Sequence, residues 1–124
     1  MYRPRIQQGQ ILAGTLTKTF TLNRGNDYPD HVYAILKISA MSGSEVLDIT
    51  GKAPGQGTYL TANITPQIDL KANDGDVIMV NLSPGSLPAS ATPPVTTVPP
   101  LDEILFTATN IAAAETVDIT LVTW

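Results

Sequence analysis

The side chains suited to acid–base or nucleophilic work are few in this sequence, and their spacing is poor for it. His31 is the only histidine, so a Ser-His-Asp arrangement would have to be built on it, and no serine sits in a G-x-S-x-G turn to serve as its nucleophile. Pro29-Asp30-His31 reads as a loop entering a strand, which makes His31 a surface or rim histidine. Asp102 and Glu103 are the one adjacent acidic pair. Neighbours on a strand point to opposite faces, so these two carboxyls do not flank a single glycosidic bond. Asn73-Asp74-Gly75-Asp76 has the opening of an acidic calcium loop, but such a loop spans about twelve residues and closes on a bidentate glutamate. Val77-Ile78-Met79-Val80 follows instead, and Asp-Gly is the signature of a tight turn. With no cysteine, thiolate zinc sites, disulfides and cysteine nucleophiles drop out together. A lone histidine is too little for a histidine-based zinc site. No glycine-rich loop enters a helix to cradle a phosphate. Neither catalysis nor a cofactor is expected.

The elements that would hold any site are strands. The chain has 124 residues, one domain's worth, and buries roughly two-thirds of its unfolded surface without needing a disulfide or metal. It carries 16 Thr, 10 Pro and 9 Gly, while helix-period patterns are scarce and residues 111–115 offer at most one turn. Threonine, stiff at the β-carbon, suits a pleated surface. Leu12, Gly14, Leu16, Phe20 and Leu22 share one parity and Thr15, Thr17, Thr19 and Thr21 the other, a long strand whose apolar face only Lys18 interrupts. Residues 23–30 are a loop. Residues 32–40 form the most apolar strand, with Val32, Ala34, Leu36 and Ile38 on one side and Tyr33 and Ile35 on the other. That pattern predicts a central strand covered on both faces. Shorter strands follow at 45–50, 58–64 and 67–72, the last turning at Asp74-Gly75 into a hairpin with 77–82. Residues 103–109 and 115–124 complete the set; in the latter Val117, Ile119 and Leu121 face one way and Val122 and Trp124 the other. About eight antiparallel strands predict an all-β, single-domain β-sandwich over residues 11–124, jelly-roll or immunoglobulin-like in topology.

Two segments stand outside that pattern. Residues 1–25 carry Arg3, Arg5, Lys18 and Arg24 and no acid, whereas the chain as a whole has net charge −4. Residues 1–10 lack alternation, which predicts an extended basic arm reaching an acidic surface beyond its own sandwich. Arginines without interleaved aromatics make a poor phosphate track, so nucleic acid is not an expected partner. Residues 83–100, SPGSLPASATPPVTTVPP, hold six prolines and no charge. Proline blocks helix and central strand alike, and a loop longer than about 15 residues within a compact domain is usually functional or disordered. Leu87, Val95, Val98 and Leu101 supply apolar anchors, so this Pro-rich arm is read as an interface element. The longest apolar run, residues 32–36, is far below the ~20 residues of a membrane helix, and no apolar h-region follows Arg3 and Arg5. Neither a membrane partner nor a cleaved secretory signal is expected. Tyr33, Ile35, Val122 and Trp124 lie opposite the core parity, and such apolar groups call for cover by another subunit. Tyr33 and Tyr59 are also the best placed rings for stacking on a ligand.

In this layout, LTKTFTL near the start, NDGDVIMVNL in the middle and ETVDITLVTW at 115–124, the chain resembles the head-decoration, or cement, proteins of tailed bacteriophages. The resemblance covers the whole chain. It implies a homo-oligomer, often a trimer, that binds the major capsid protein in an assembled phage head and locks neighbouring capsid subunits. It implies a place on the capsid surface of the virion, after assembly in the host cytoplasm, and no cofactor or catalysis. The candidate interface is then Arg3, Arg5, Leu87, Val95, Val98, Leu101, Tyr33, Val122 and Trp124. A carbohydrate- or receptor-binding module on a virion or cell surface is the alternative, and it would need an exposed aromatic platform or an acid-lined calcium site on one face.

Overall fold

The computed structural model describes residues 4–25, 27–86 and 97–124. Their regular structure is eight strands: β1 (Arg5–Ile11), β2 (Thr17–Thr21), β3 (Val32–Ser39), β4 (Val46–Lys52), β5 (Ile68–Asp69), β6 (Val77–Asn81), β7 (Glu103–Thr109) and β8 (Thr116–Thr123). They form two four-stranded sheets, β1-β8-β3-β6 and β2-β7-β4-β5, with every pairing antiparallel. The protein is a β-sandwich. First pairs with last, second with seventh, third with sixth and fourth with fifth, as if one long hairpin had been rolled up. The β3·β8 and β4·β7 ladders then seal the roll. This is the jelly roll. An immunoglobulin-like sandwich sets several chain neighbours side by side, whereas here β4 and β5 alone among consecutive strands are paired.

Alternation builds the core as the sequence requires. Val32, Ala34, Leu36 and Ile38 of β3 meet Val117, Ile119 and Leu121 of β8 from one sheet, and Leu47, Ile49, Ile104 and Phe106 from the other, all buried. Phe20 packs edge-on against Phe106 at 5.7 Å. Lys18, the one charged residue of inward parity on β2, is accommodated by Gly9 of β1. A Cβ on Gly9 would lie 2.4 Å from the lysine Cε, so glycine makes room for the stem.

Five expectations are corrected. Residues 5–10 do not leave the sandwich: β1 runs along β8 from Arg5↔Thr123 to Ile11↔Val117, because β8 would otherwise expose a row of unpaired backbone groups. The long strand from residue 12 begins only at Thr17, since Leu12 and Thr15 exchange backbone hydrogen bonds of 3.2 and 2.9 Å in a tight turn that carries the chain between sheets. Residues 58–64 are not a strand. They lie along β4, with Leu60 N donating to Gly51 O at 2.8 Å, Ile64 N donating to Ile49 O at 2.9 Å, and Thr50 Oγ1 donating to the carbonyls of Leu60 and Ala62. The turn at Asp74-Gly75 exists, with Gly75 at φ +83°, but it joins no hairpin. It crosses from β5 in one sheet to β6 in the other, and Gly75 N and Asp76 O bond to Ile38 of β3. Finally, the two described ends of the Pro-rich segment, residues 83–86 and 97–100, are rooted in the sandwich, and the stretch between them lies outside the described residues. Gly85 N donates to Val98 O and Val98 N to Ser86 O, while Val98 and Leu101 are each 2% exposed.

Candidate interaction surface

The outer face of the β1-β8-β3-β6 sheet carries most of the exposed large apolar side chains among the described residues, Leu12 and Leu16 in the turn before β2 being the others. Its registers align in rows: Ile6–Val122–Tyr33–Asn81, then Gln8–Thr120–Ile35–Met79, then Gln10–Asp118–Lys37–Val77. Strand alternation sends all of these side chains outward. Beyond the first row, His31 and Trp124 exchange backbone hydrogen bonds of 2.8 and 3.0 Å, which extends the β3·β8 ladder by one pair. The Trp124 indole then stacks with the His31 imidazole (4.8 Å, 24°) and the Tyr33 phenol (5.4 Å, 17°). Beside this stack lies a shallow groove of about 360 Å³, lined by Tyr33, Ile35, Met79, Val122 and Trp124.

Exposure distinguishes this face from ordinary sheet surface. Ile6, Val77 and Met79 are 64, 65 and 68% exposed, and Trp124 is 37% exposed. Fully covering one such aliphatic side chain gains about 1.5–3 kcal/mol, so association here gains several kcal/mol before ordering costs. The opposite corner is polar. Gln10 Nε2 donates to Asp118 Oδ1 at 2.7 Å, and a wider groove runs there past Gln8 and Lys37. The face is thus apolar at the Trp124 end and hydrogen-bonding at the other, the combination of dry centre and polar rim that docking surfaces use.

Three of the candidate interface residues, Tyr33, Val122 and Trp124, meet in this patch. Because no element among the described residues covers β3 from outside, its outer side is half-buried rather than enclosed. Val98 and Leu101 are corrected from interface to core. Arg5 is half-buried on the parity opposite Ile6, away from the patch. Arg3, Leu87 and Val95 lie outside the described residues. Tyr59 belongs to the other sheet, where the Lys52 ammonium sits 4.7 Å from its ring centre, so it makes no platform with Tyr33. Ile6, Val77 and Met79 were missed in the sequence. Their strand parity carried the signal, but only the pairing of β1 with β8 and β6 with β3 places Ile6 beside Val122, Met79 beside Ile35 and Val77 beside Lys37.

The titratable groups are engaged in holding loops. Asp102 accepts hydrogen bonds from Tyr28 Oη (2.7 Å), Asn23 Nδ2 (3.1 Å) and Gly55 N (3.3 Å), tying the 22–31 and 53–57 loops to the start of β7. The Tyr28 hydrogen bond, with help from Gly55, Asn23 and the Lys52 charge, holds Asp102 below the usual aspartate range against the effect of burial. The same contact raises Tyr28. Lys52 pairs with Glu103 at 2.9 Å and is raised by it. At the other end of the sandwich two glutamates are buried together. Ser42 N donates to both Glu45 Oε1 (2.6 Å) and Glu115 Oε2 (2.7 Å), and Gly43 N adds a bond to Glu45. The Glu115 carboxyl, then Ser42, hold Glu45 well below the usual glutamate range. Among the described residues no three His, Cys, Asp or Glu side chains converge as a metal site would require. No family model matches the chain, and no curated protein or solved structure matches it either.

Proposed function

We propose that this protein is a structural component of a virion, a homo-oligomeric decoration or cement protein that docks on the major capsid protein of an assembled phage head. The observation that carries the reading is the exposed apolar patch of Ile6, Val122, Tyr33, Ile35, Met79 and Trp124, which crosses all four strands of one sheet. A jelly roll supports it, since viral shells are among the assemblies built from this architecture. In this reading the apolar corner lies against protein, with the Gln10–Asp118–Lys37 corner at the rim, and the copies associate with one another. Trp124 is the only tryptophan, so its emission reports on the patch directly. The test is co-sedimentation of the purified protein with assembled phage heads, alongside Tyr33→Ser and Met79→Ser. Wild type should sediment with the heads and shift its emission to the blue, while both variants stay in the supernatant. Equal retention of wild type and variants would refute the docking face.

A carbohydrate- or receptor-binding module is the second reading, favoured by the three-ring stack of His31, Trp124 and Tyr33. Sugars bind by stacking on an open ring face. Here the indole is already stacked on two neighbours of its own chain. Saturable quenching of Trp124 emission by a glycan, without any retention on heads, would favour this reading over the first.

A further inference from the structure

We propose that two copies of this chain join edge to edge through β6, making one continuous eight-stranded sheet from two four-stranded ones. The inference rests on the homo-oligomer reading above, and it replaces the trimer with a two-fold pair. Its basis is which way the β6 backbone points. Leu82 N donates to Val32 O and Ile38 N donates to Asp76 O, so the even-numbered residues turn their peptide groups toward β3. In an antiparallel ladder hydrogen-bonded and non-bonded pairs alternate. The N–H and C=O groups of Val77, Met79 and Asn81 therefore face away from β3, and no described residue pairs with them.

Sheet edges of this kind are normally blunted by lysine, proline or a bulge. VIMVN has none of these. The other edge of the same sheet, β1, is RIQQGQI, polar for most of its length. One edge therefore invites pairing and the other does not, which favours a closed pair over a growing fibre.

The β6 edge is also complementary to itself. Antiparallel pairing about a two-fold axis at Met79 sets Met79 against the partner's Met79 and Val77 against the partner's Asn81. All three outward-facing residues of each copy are then used, giving six backbone hydrogen bonds. On the inner side the same register sets Ile78 against the partner's Val80. Both are half-buried residues that line an open groove beside Ile68 and Pro66, so each copy closes the other's groove. Asp76 falls opposite the partner's Leu82, and no like charges meet. On the outer side the two apolar corners become neighbours across the joint.

The test uses Met79→Pro. Proline there removes a donor that the monomer does not use and adds no strain to the preceding extended residue, so the sandwich should keep its cooperative unfolding transition. Sedimentation at tens of micromolar should give twice the 13.2 kDa chain mass for wild type and the single mass for the variant. We expect a rise in the dimer dissociation constant of about a hundredfold or more. Amide exchange should show Val77, Met79 and Asn81 protected in the wild-type dimer and open on dilution. Should Met79→Pro fail to fold, Met79→Lys keeps the backbone donor while placing a charge at the joint, and it should dissociate the dimer as well. A wild-type oligomer whose mass neither variant changes would overturn the β6 joint and leave the homo-oligomer reading standing. A monomeric wild type would end both, and in that case protected β6 amides would mean that the chain covers its own edge.

Discussion

Gly51→Ala adds one methyl group on the inner face of β4, where the space is already occupied. A Cβ at this position would lie 2.7 Å from the Glu103 carbonyl oxygen and 2.7 and 3.0 Å from the two methyls of Leu101. Ordinary contacts begin near 3.4 Å. The oxygen belongs to β7, whose Glu103 is the register partner of Lys52, and it cannot withdraw without loosening the β4·β7 ladder. Overpacking of this sort costs about 1–3 kcal/mol, offset by about 0.4–1 kcal/mol because alanine restricts the unfolded chain. A net loss of about 1.5 kcal/mol results. With a urea slope of about 1.5 kcal/mol/M the midpoint falls by about 1 M. A double-mutant cycle then separates the two clashes. Leu101→Ala alone should cost about 3 kcal/mol, as a buried leucine does. In that background Gly51→Ala meets only the Glu103 oxygen and should cost about half as much as in wild type. Strict additivity, or a Gly51→Ala midpoint equal to wild type, would refute the packing argument and return Leu101 to the list of surface anchors.

Stability should fall as pH drops below about 5 and stay flat from there to about 9. Glu45 and Asp102 are both held below their ordinary values, so their contributions are complete above the unfolded pKa and are lost as acid protonates the folded state. Urea midpoints against pH check this, and Glu45→Gln should flatten the acid limb. At the alkaline end Tyr28 and Lys52 are raised, so what they contribute is present below pH 10 and is lost as pH climbs through their folded values. Removing residues 1–3 should leave thermal unfolding unchanged, whereas removing residues 1–8 takes four of the seven β1 residues and should lower the melting temperature by several degrees. Replacing residues 87–96 by a Gly-Ser link should leave the fold intact, while a replacement extended through Val98 should destabilise it by about 1–2 kcal/mol, read by urea unfolding.

What the sequence made legible was whatever depends on neighbours one and two residues away. β3, β7 and β8 were plain because each has a buried inner face and so alternates without a break. β1 was hidden. Its inward positions are Arg5, Gln7, Gly9 and Ile11, and at a sheet edge two polar residues and a glycine satisfy the geometry without an apolar signal. Asn73-Asp74-Gly75-Asp76 announced a turn correctly, but the turn chemistry is the same whether the chain doubles back or crosses to the other sheet. The backbone bonds to Ile38 decide that, and Ile38 is far away in sequence. The patch was half legible for the same reason. Tyr33, Val122 and Trp124 broke parity visibly, while Met79 looked like an ordinary strand residue and Ile6 fell in a segment read as an arm, until their registers were known.

The nested pairing of the roll also gives the chain an order of closure. β4 meets β5 across the shortest intervening stretch, and β1 meets β8 from residues more than a hundred apart. Closing that outermost pair directly from an open chain would demand the largest loss of loop entropy. Each inner pair that forms first brings the next two strands together, so the long closure becomes a series of short ones. The roll should therefore zip outward from its fold at β4·β5, slowly, as non-local β-structure does. β1 then joins last, onto a β8 edge that stays unpaired until the rest is built. A chain arrested before that step would expose the β8 edge, and newly made copies risk associating there instead of at their finished surfaces.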